Sequence, residues 1–350
     1  MPEEIKVALL THAGGAHVSA YLAALAATDQ CTSVVLGDPD GHFEADAKRV
    51  LKDKLSRSYR NVSELLKVEQ PQLALITMEA AIAPPVIAAA IEADCHVFAE
   101  KPSCVSAADF APLATMADQK HRFLMLALAN RLNPEVLAAK RLIETGRLGK
   151  LYGLEMHLVA DQTRLKQKSY HQKWFAQKDR SGGGHLMWLG IHWLDLAMHV
   201  TGSSIDSVAG FIANVGGQPI DVEDSAAASL RFDNGMLGTI TSGYYLDRGY
   251  HSHIKVWGSS GWLHLESMKD EPLTWYSTKG SKSGQVQTWS GLKQPRGYTP
   301  FVQAAVKACA EMSDPPVNAT DSLRALKTVF AIYSSAESGR AVVVGDQAVD

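Results

Sequence analysis

Long apolar runs are missing from this chain of 350 residues, although 46% of its residues are hydrophobic. No stretch approaches the roughly 20 consecutive apolar residues that a membrane-spanning helix needs. The opening residues also lack the basic and apolar segments of a secretory signal. We therefore expect a cytoplasmic protein without a membrane partner, long enough to form two cores of ordinary domain size.

Cysteine is scarce, and neither sign of charge dominates. The four cysteines are scattered, without the Cys-x-x-Cys spacing of redox or zinc motifs, so reduced thiols are the simplest interpretation. A net charge of −3 provides no general attraction to nucleic acid. His185, His192 and His199 recur at intervals of seven, but Gly190 interrupts the helical pattern, and we expect no metal site. Internal repeats and low-complexity tracts are also absent.

The hydrophobic pattern changes once along the chain. Short apolar runs alternate with helical segments up to about residue 128, which predicts a Rossmann-type, doubly wound parallel sheet. From about residue 149, segments of alternating polarity are separated by turns such as Asp233-Asn234-Gly235. We therefore expect an α/β chain: residues 1–128 as the NAD(P)-binding domain and residues 129–350 as an α+β domain with a large, mostly antiparallel, open-faced sheet.

The segment after the first apolar run is a variant of the dinucleotide-binding fingerprint. Aligned to Gly-x-Gly-x-x-Gly, its three glycine positions hold Thr11, Ala13 and Ala16, of which only the last is an ordinary variant. Gly14 and Gly15 still offer flexible backbone just before a predicted helix. Backbone amides and the helix dipole there are suited to binding a pyrophosphate in a shifted geometry.

Asp38 follows the second apolar run, where a carboxylate can accept hydrogen bonds from an adenosine ribose diol. The alternative is a plain Asp-Pro turn. Because this carboxylate would repel a 2'-phosphate, we predict NAD as cofactor. NADP stays open, since Arg49, Arg57 and Arg60 could offset that repulsion.

Two further motifs suggest a family. Glu100-Lys101-Pro102 follows an apolar run, and Gly182-Gly183-Gly184 leads into Gly190-Ile191-His192-Trp193-Leu194-Asp195. In these motifs the chain resembles the glucose-fructose oxidoreductase/inositol dehydrogenase family (Gfo/Idh/MocA), whose pattern is a strand ending in Glu-Lys-Pro and a later helix with Asp-x-Gly-x-His-x-x-Asp. The first aspartate of that pattern is replaced here by Trp188.

The resemblance implies that Lys101 and His192 are catalytic and handle the proton of a hydroxyl that loses a hydride. The chemistry suits these residue types, because a histidine, or a lysine whose pKa is lowered by burial, accepts a proton near neutral pH. The alternative is a solvated loop lysine and a core histidine. Without the aspartate, we expect His192 either to be a weaker base than its family counterparts or to have another partner, such as His185, Asp161 or Tyr170.

Substrate binding is expected from the second half of the chain. Residues 164–180 mix basic and aromatic side chains, which can stack on sugar rings and attract a carboxylate or phosphate; a basic loop at a subunit contact is the alternative. Asp195 either orients His192 or makes a helix-packing hydrogen bond. The predicted substrate-binding residues are Trp188, Tyr170, His171, Asp195 and Arg164.

Cofactor contacts are expected at the ends of several predicted strands. The segment Thr77-Met78-Glu79 follows one of them, where family members usually carry Pro-Asn. The predicted cofactor-binding residues are Thr11, His12, Ala13, Gly14, Gly15, Ala16, Asp38, Thr77, Met78, Glu79, Glu100, Lys101, Pro102 and Asn130.

The function predicted from these patterns is NAD-dependent oxidation of a secondary hydroxyl of a sugar, glycoside or cyclic polyol. One alternative is redox-neutral cleavage of a glycoside by oxidation, elimination and re-reduction. Another is a non-catalytic protein that binds a sugar or nucleotide. The resemblance also implies a homodimer or homotetramer formed through the second sheet.

Overall fold

A computed structural model describes residues 4–266, 269–291 and 294–345. The chain forms two compact units. The first contains Met1–Leu132, Asp179–Gly182 and Pro295–Arg324, and the second contains Asn133–Lys178, Gly183–Gln294 and Ala325–Asp350.

The first unit contains a six-stranded sheet in which all neighbouring strands are parallel. Its strands are β1 (Ile5–Thr11), β2 (Cys31–Gly37), β3 (Leu55–Tyr59), β4 (Leu73–Thr77), β5 (His96–Ala99) and β6 (Leu124–Leu126). Their order is β3-β2-β1-β4-β5-β6, so the direction of winding reverses between β1 and β4. The predicted doubly wound parallel sheet is therefore confirmed, and ligands of such sheets bind at the carboxyl ends of strands near this reversal.

Five helices connect these strands, and a sixth from late in the chain joins the unit. The connecting helices are α1 (Val18–Ala26), α2 (Glu44–Leu51), α3 (Val62–Glu69), α4 (Ala83–Glu92) and α5 (Ala107–Gln119). Every residue of β4 and β5 is buried, as expected for strands covered by helices on both faces. The apolar pattern does not predict β3, because Ser56, Arg57 and Ser58 make this edge strand largely polar.

The second unit contains a nine-stranded sheet in the order β14-β13-β12-β11-β7-β10-β9-β8-β15. Its strands are β7 (Leu151–Asp161), β8 (Ile205–Ala213), β9 (Ser225–Phe232), β10 (Leu237–Leu246), β11 (His251–Gly258), β12 (Gly261–Leu265), β13 (Leu273–Ser277), β14 (Val286–Thr288) and β15 (Val342–Val343). Only β7 and β10 pair in parallel, so the expected mostly antiparallel sheet is confirmed.

The remaining helices are α6 (Pro134–Glu144), α7 (Lys168–His171), α8 (Lys178–Ser181), α9 (Ile191–Thr201), α10 (Tyr298–Glu311) and α11 (Ala319–Ser338). In the second unit, α6 packs against α9, and α9 contacts β7. Buried and exposed residues alternate along β9, which gives the sheet one covered and one open face. In the first unit, α10 packs against α1.

None of the helices described is both long and apolar enough to cross a bilayer. Across the described ranges, no group of three or more His, Cys, Asp or Glu side chains is arranged to hold a metal ion.

Candidate functional site

The turn after β1 lies at the reversal of the sheet. Gly15 donates its amide to the His12 carbonyl at 2.8 Å, which closes a tight turn just before α1. A Cβ on Gly15 would lie 2.9 Å from the Thr77 carbonyl oxygen and would overlap the Thr11 hydroxyl. Gly15 is thus the position where this variant fingerprint needs a glycine, although the sequence alignment gives it no glycine position. Gly14 and Ala16 flank it in the same turn.

The two strand ends are tied together at this turn. The Thr11 hydroxyl donates to the Thr77 carbonyl at 3.2 Å, and the Thr77 hydroxyl donates to the Ala16 carbonyl. The Ala13 amide donates to Asp40 Oδ2 at 2.8 Å. These bonds hold the predicted pyrophosphate-binding turn against the ends of β1, β2 and β4.

Asp38, directly after β2, has the environment expected of a ribose acceptor. Its side chain is fully buried, and Oδ2 accepts the Phe43 amide at 2.8 Å. Oδ1 has no hydrogen-bond partner within the described part of the chain. Because a buried carboxylate oxygen without a partner is costly, this atom suits a hydroxyl of the adenosine ribose.

Glu79 and His12 form part of the same end of the first unit. The Arg180 guanidinium pairs with Glu79, with Nε 3.1 Å from Oε1. His12 Nε2 accepts the Glu79 amide at 3.1 Å, and burial lowers the pKa of the His12 imidazole. Met78 is buried between Thr77 and Glu79. Glu79 and Arg180 are 101 residues apart in the sequence, and no sequence motif indicates that they pair.

Lys101 is delivered by the end of β5 and is 1% exposed. Its Nζ lies 3.8 Å from Glu100 Oε1, and Glu100 is equally buried. Burial lowers the pKa of Lys101 to about 8, while the Glu100 carboxylate opposes that shift. The amine therefore changes its protonation state near neutral pH, as a proton-transferring lysine must.

Glu100 is itself held by aromatic residues that the sequence motifs do not indicate. The Tyr21 hydroxyl donates to Glu100 Oε2, and the Tyr21 ring packs edge-on against Tyr298 with centroids 5.0 Å apart. Glu100 is therefore held in the interior beside Lys101 and does not face solvent. Pro102 follows through a cis peptide bond and is buried, and Asn130 lies in the short turn Ala129–Leu132 after β6.

In the second unit, the glycine turn before α9 closes around one carboxylate. Glu223 Oε2 accepts the Gly184 amide at 2.6 Å, and Oε1 accepts the Leu186 amide at 2.8 Å and the Tyr333 hydroxyl at 2.9 Å. Burial raises the pKa of Glu223 to about 6, against the opposing effect of these donors. Glu223 is a positioning residue that no motif in the sequence indicates.

The turn leads through a π-helical segment, Leu186–Gly190, into α9, which carries His192 and Asp195. Asp195 is buried, whereas His192 is half-buried near the start of the helix. His185 is fully buried, and its Nδ1 lies 2.7 Å from the Ser242 hydroxyl. Burial lowers the pKa of His185 to about 3, so the imidazole is neutral at pH 7.

Trp188 lies in an aromatic cluster of the second unit. Its ring is 5.5 Å from that of Trp174 and 5.3 Å from that of Phe175. Phe175 in turn contacts Tyr170, with centroids 5.0 Å apart. The residue that replaces the family aspartate therefore contributes apolar surface for stacking instead of a charge.

Arg164, Tyr170 and His171 lie on the segment that follows β7. The Arg164 guanidinium stacks over the Tyr244 ring at 5.4 Å and donates to the Tyr250 hydroxyl at 3.3 Å. Tyr170 packs against a hydrophobic cluster formed by Ala160, Leu165 and Tyr244. His171 is placed differently, because its Nε2 lies 2.5 Å from the Leu165 carbonyl within the segment itself.

We predict that Asp38→Asn weakens NADH binding by roughly 10- to 100-fold, because the charge-assisted hydrogen bond that a ribose hydroxyl donates to Oδ1 is lost. Fluorescence titration of NADH measures the change, and Asp46→Asn, on the exposed surface of α2, is the control. Unchanged binding by a folded Asp38→Asn protein would remove Asp38 from the nucleotide site.

We also predict that Gly184→Ala lowers the free energy of unfolding by about 1–3 kcal/mol or more, because its Cβ would overlap the Glu223 carbonyl oxygen. The matched control is Gly153→Ala, whose Cβ would meet no atom closer than 3.7 Å. Denaturant unfolding compares the two variants. Equal stabilities would contradict the close packing of the glycine turn on Glu223.

Comparisons with known proteins agree with this architecture. A family model described as "Oxidoreductase family, NAD-binding Rossmann fold" matches residues 11–128, and the "GFO/IDH/MocA C-terminal domain" matches residues 136–264. The chain is 23% identical to myo-inositol 2-dehydrogenase of Thermotoga maritima over 303 residues, covering 85% of this chain and 87% of that protein.

Solved structures share the fold across nearly the whole chain. An oxidoreductase domain protein from Kribbella flavida has a TM-score of 0.87 at 21% identity, covering 99% of this chain and 100% of that one. Levoglucosan dehydrogenase in complex with NADH and L-sorbose has a TM-score of 0.86 at 20% identity, covering 98% and 99%. The resemblance seen in the sequence motifs is confirmed: this chain belongs to the Gfo/Idh/MocA family of oxidoreductases, and its N-terminal Rossmann fold binds NAD.

Proposed function

We propose that this protein oxidises a secondary hydroxyl of a sugar, glycoside or cyclic polyol, with NAD as the hydride acceptor. The observation that carries the proposal is the fully buried Lys101, whose pKa of about 8 lies close to neutrality, at the carboxyl end of β5 in an NAD-binding fold. Relatives named myo-inositol 2-dehydrogenase and levoglucosan dehydrogenase support a polyol or sugar as substrate.

The residues at the strand ends fit the cofactor. The unpartnered Oδ1 of Asp38 suits the adenosine ribose, and the turn around Gly15, just before α1, is where we place the pyrophosphate. We assign the remaining predicted cofactor residues to the same site. When bound, the nicotinamide supplies the acceptor for the hydride that leaves the alcohol carbon.

Lys101 and His192 handle the hydroxyl proton in this proposal. Oxidation of a secondary alcohol removes a hydride from carbon and a proton from oxygen, and leaves a ketone. The unprotonated Lys101 amine accepts that proton at Nζ, or its protonated form stabilises a developing alkoxide. His192 supplies a second proton-accepting group, with Asp195 buried one turn further along α9.

The substrate contacts come from the second unit. Trp188 and Tyr170 provide aromatic faces for a sugar ring, and Arg164 provides hydrogen-bond donors. We keep His171 and Asp195 in the substrate-binding set, although the His171 imidazole is engaged with the Leu165 carbonyl.

We further propose a cytoplasmic homodimer or homotetramer that pairs through the open face of the second sheet. Phe211, which is 80% exposed, pairs in register with Ala227, and the exposed Leu237 lies on the same face. An apolar face of this kind favours association. All four cysteines are unpaired thiols, consistent with a reducing compartment. Light scattering of the purified protein measures the subunit number.

The function is tested by following absorbance at 340 nm with NAD and a panel of cyclic polyols, sugars and glycosides. Net NADH formation with a polyol or sugar is expected. Glycoside cleavage without net NADH would replace the proposal with the redox-neutral reaction, and binding without turnover would replace it with a non-catalytic role.

We predict that kcat/KM for alcohol oxidation rises with pH through about 8, because only the unprotonated Lys101 amine accepts the proton. Lys101→Met keeps much of the buried volume without the charge. It should lower kcat/KM by roughly 10²- to 10⁴-fold and remove the rise near pH 8.

The control for this variant is Lys120→Met, which removes an exposed lysine paired with Asp94 and should change none of these quantities. Near-normal turnover of Lys101→Met would remove Lys101 from the mechanism. Reduced turnover with an unchanged pH profile would exclude Lys101 as the proton acceptor and leave it the stabilisation of the alkoxide.

A further inference from the structure

The segment after β7 carries an unusual excess of positive charge. Residues 162–178 contain one arginine and four lysines but no aspartate or glutamate. Most of these cations are exposed, whereas Arg164 is half-buried. A cation that is partly withdrawn from water normally has an acidic partner, because the loss of hydration must be offset.

Arg164 has no such partner in the described ranges: no aspartate or glutamate forms an ion pair with it. Asp161, the preceding acidic residue, accepts the Thr163 amide at 2.7 Å; the hydrogen bonds from Thr163 are the main cause that lowers the pKa of its carboxyl, and the Arg164 charge adds a smaller effect without forming an ion pair. Asp247 is 3.6 Å from Lys166. In the described part of the chain, Arg164 lies over the Tyr244 ring, donates one hydrogen bond to the Tyr250 hydroxyl and interacts electrostatically with the Tyr170 hydroxyl.

These contacts fix the orientation of the Arg164 guanidinium and leave further N–H donors available for a ligand. A guanidinium has five N–H groups in a planar fork, and the hydrogen bond to Tyr250 uses one of them. Stacking on Tyr244 holds the plane of the fork in place. An oriented fork with free N–H groups and exposed surface matches the two oxygens of a carboxylate.

The Arg164 guanidinium is also connected, through Tyr244, to the helical run that leads into α9 and His192. The Tyr244 ring that supports Arg164 is in edge contact with His185, with centroids 4.3 Å apart. His185 directly precedes the helical run Leu186–Gly190 that continues into α9. Leu189, which belongs to that helical run, packs against the hydrophobic cluster of Ala160, Leu165 and Tyr244. Arg164 is therefore part of the framework around the start of this helix.

We infer that Arg164, framed by Tyr170, Tyr244 and Tyr250, binds the carboxylate of a sugar acid, so that the substrate of the proposed oxidation is a uronate-type sugar rather than a neutral one. This inference rests on the proposed function for its redox step. A carboxylate is favoured over a phosphate because Arg164 is the one cation seen, among the residues that the structure describes, to contact the Tyr244 ring and the Tyr250 hydroxyl, and one guanidinium matches a single negative charge.

The test compares sugars that differ only in the charged group. Rates with NAD are measured for D-glucuronate against D-glucose and for D-galacturonate against D-galactose, with D-glucose 6-phosphate as the phosphate probe. We expect kcat/KM for at least one uronate to exceed that of its neutral counterpart by tenfold or more. A preference for the phosphate, or for the neutral sugars, would overturn the inference.

Substitutions of Arg164 test whether the preference for a uronate depends on this side chain. Arg164→Gln should lower kcat/KM for the uronate by roughly 10- to 100-fold, because a charge-assisted pair of hydrogen bonds is lost, and should lower kcat/KM for the neutral sugar by a clearly smaller factor. Arg164→Lys, which keeps the charge but not the fork, should recover only part of the loss. The control is Lys166→Gln on the same segment, which should have little effect.

Calorimetric titration of the NADH-loaded protein with the same uronates separates this inference from the proposed function. Uronate binding that depends on Arg164, without any NADH formation from NAD, would overturn the oxidation and keep the carboxylate site. Turnover of neutral sugars or polyols with no effect of Arg164→Gln on uronates would overturn the carboxylate site and keep the oxidation. Neither binding nor turnover would overturn both.

Discussion

The arrangement of the second unit depends on one buried carboxylate. Glu223 accepts the amides of Gly184 and Leu186 and the hydroxyl of Tyr333, and so satisfies backbone donors at the turn that begins the helical run into α9. Burying a carboxylate is costly, and burial raises the pKa of Glu223 to about 6. The three donors offset that cost, and together they hold the turn from which His192 is presented.

In the first unit, a buried carboxylate likewise lies beside Lys101. Lys101 and Glu100 are both buried at the end of β5, and Tyr21 holds the Glu100 carboxylate from α1. The carboxylate lies close enough to oppose the loss of charge on the amine, but burial is the larger effect on its pKa. The result is a lysine poised to exchange a proton at near-neutral pH, which an exposed lysine of ordinary pKa could not do.

Two side chains of the second unit, Trp188 and Arg164, bear on the charge of the ligand it can bind. Trp188 replaces a carboxylate with an aromatic surface that packs on Trp174 and Phe175. Arg164 adds a partly buried positive charge held by tyrosines. The absence of a carboxylate at position 188 and the partly buried positive charge of Arg164 both favour an anionic ligand, so they support the same assignment of substrate.

The sequence by itself determined the doubly wound sheet, the mostly antiparallel second sheet, the family, and Asp38, Lys101 and His192 as candidates. Those conclusions rest on local properties: the period of apolar residues, turn residues and short motifs. Only the tertiary structure decided that Tyr21 holds Glu100, that Arg164 donates to Tyr250 and that Tyr333 donates to Glu223. These partners are 79, 86 and 110 residues apart, and local patterns carry no information about such contacts. For the same reason, the apolar pattern missed the polar edge strand β3, whose place is fixed by pairing with β2.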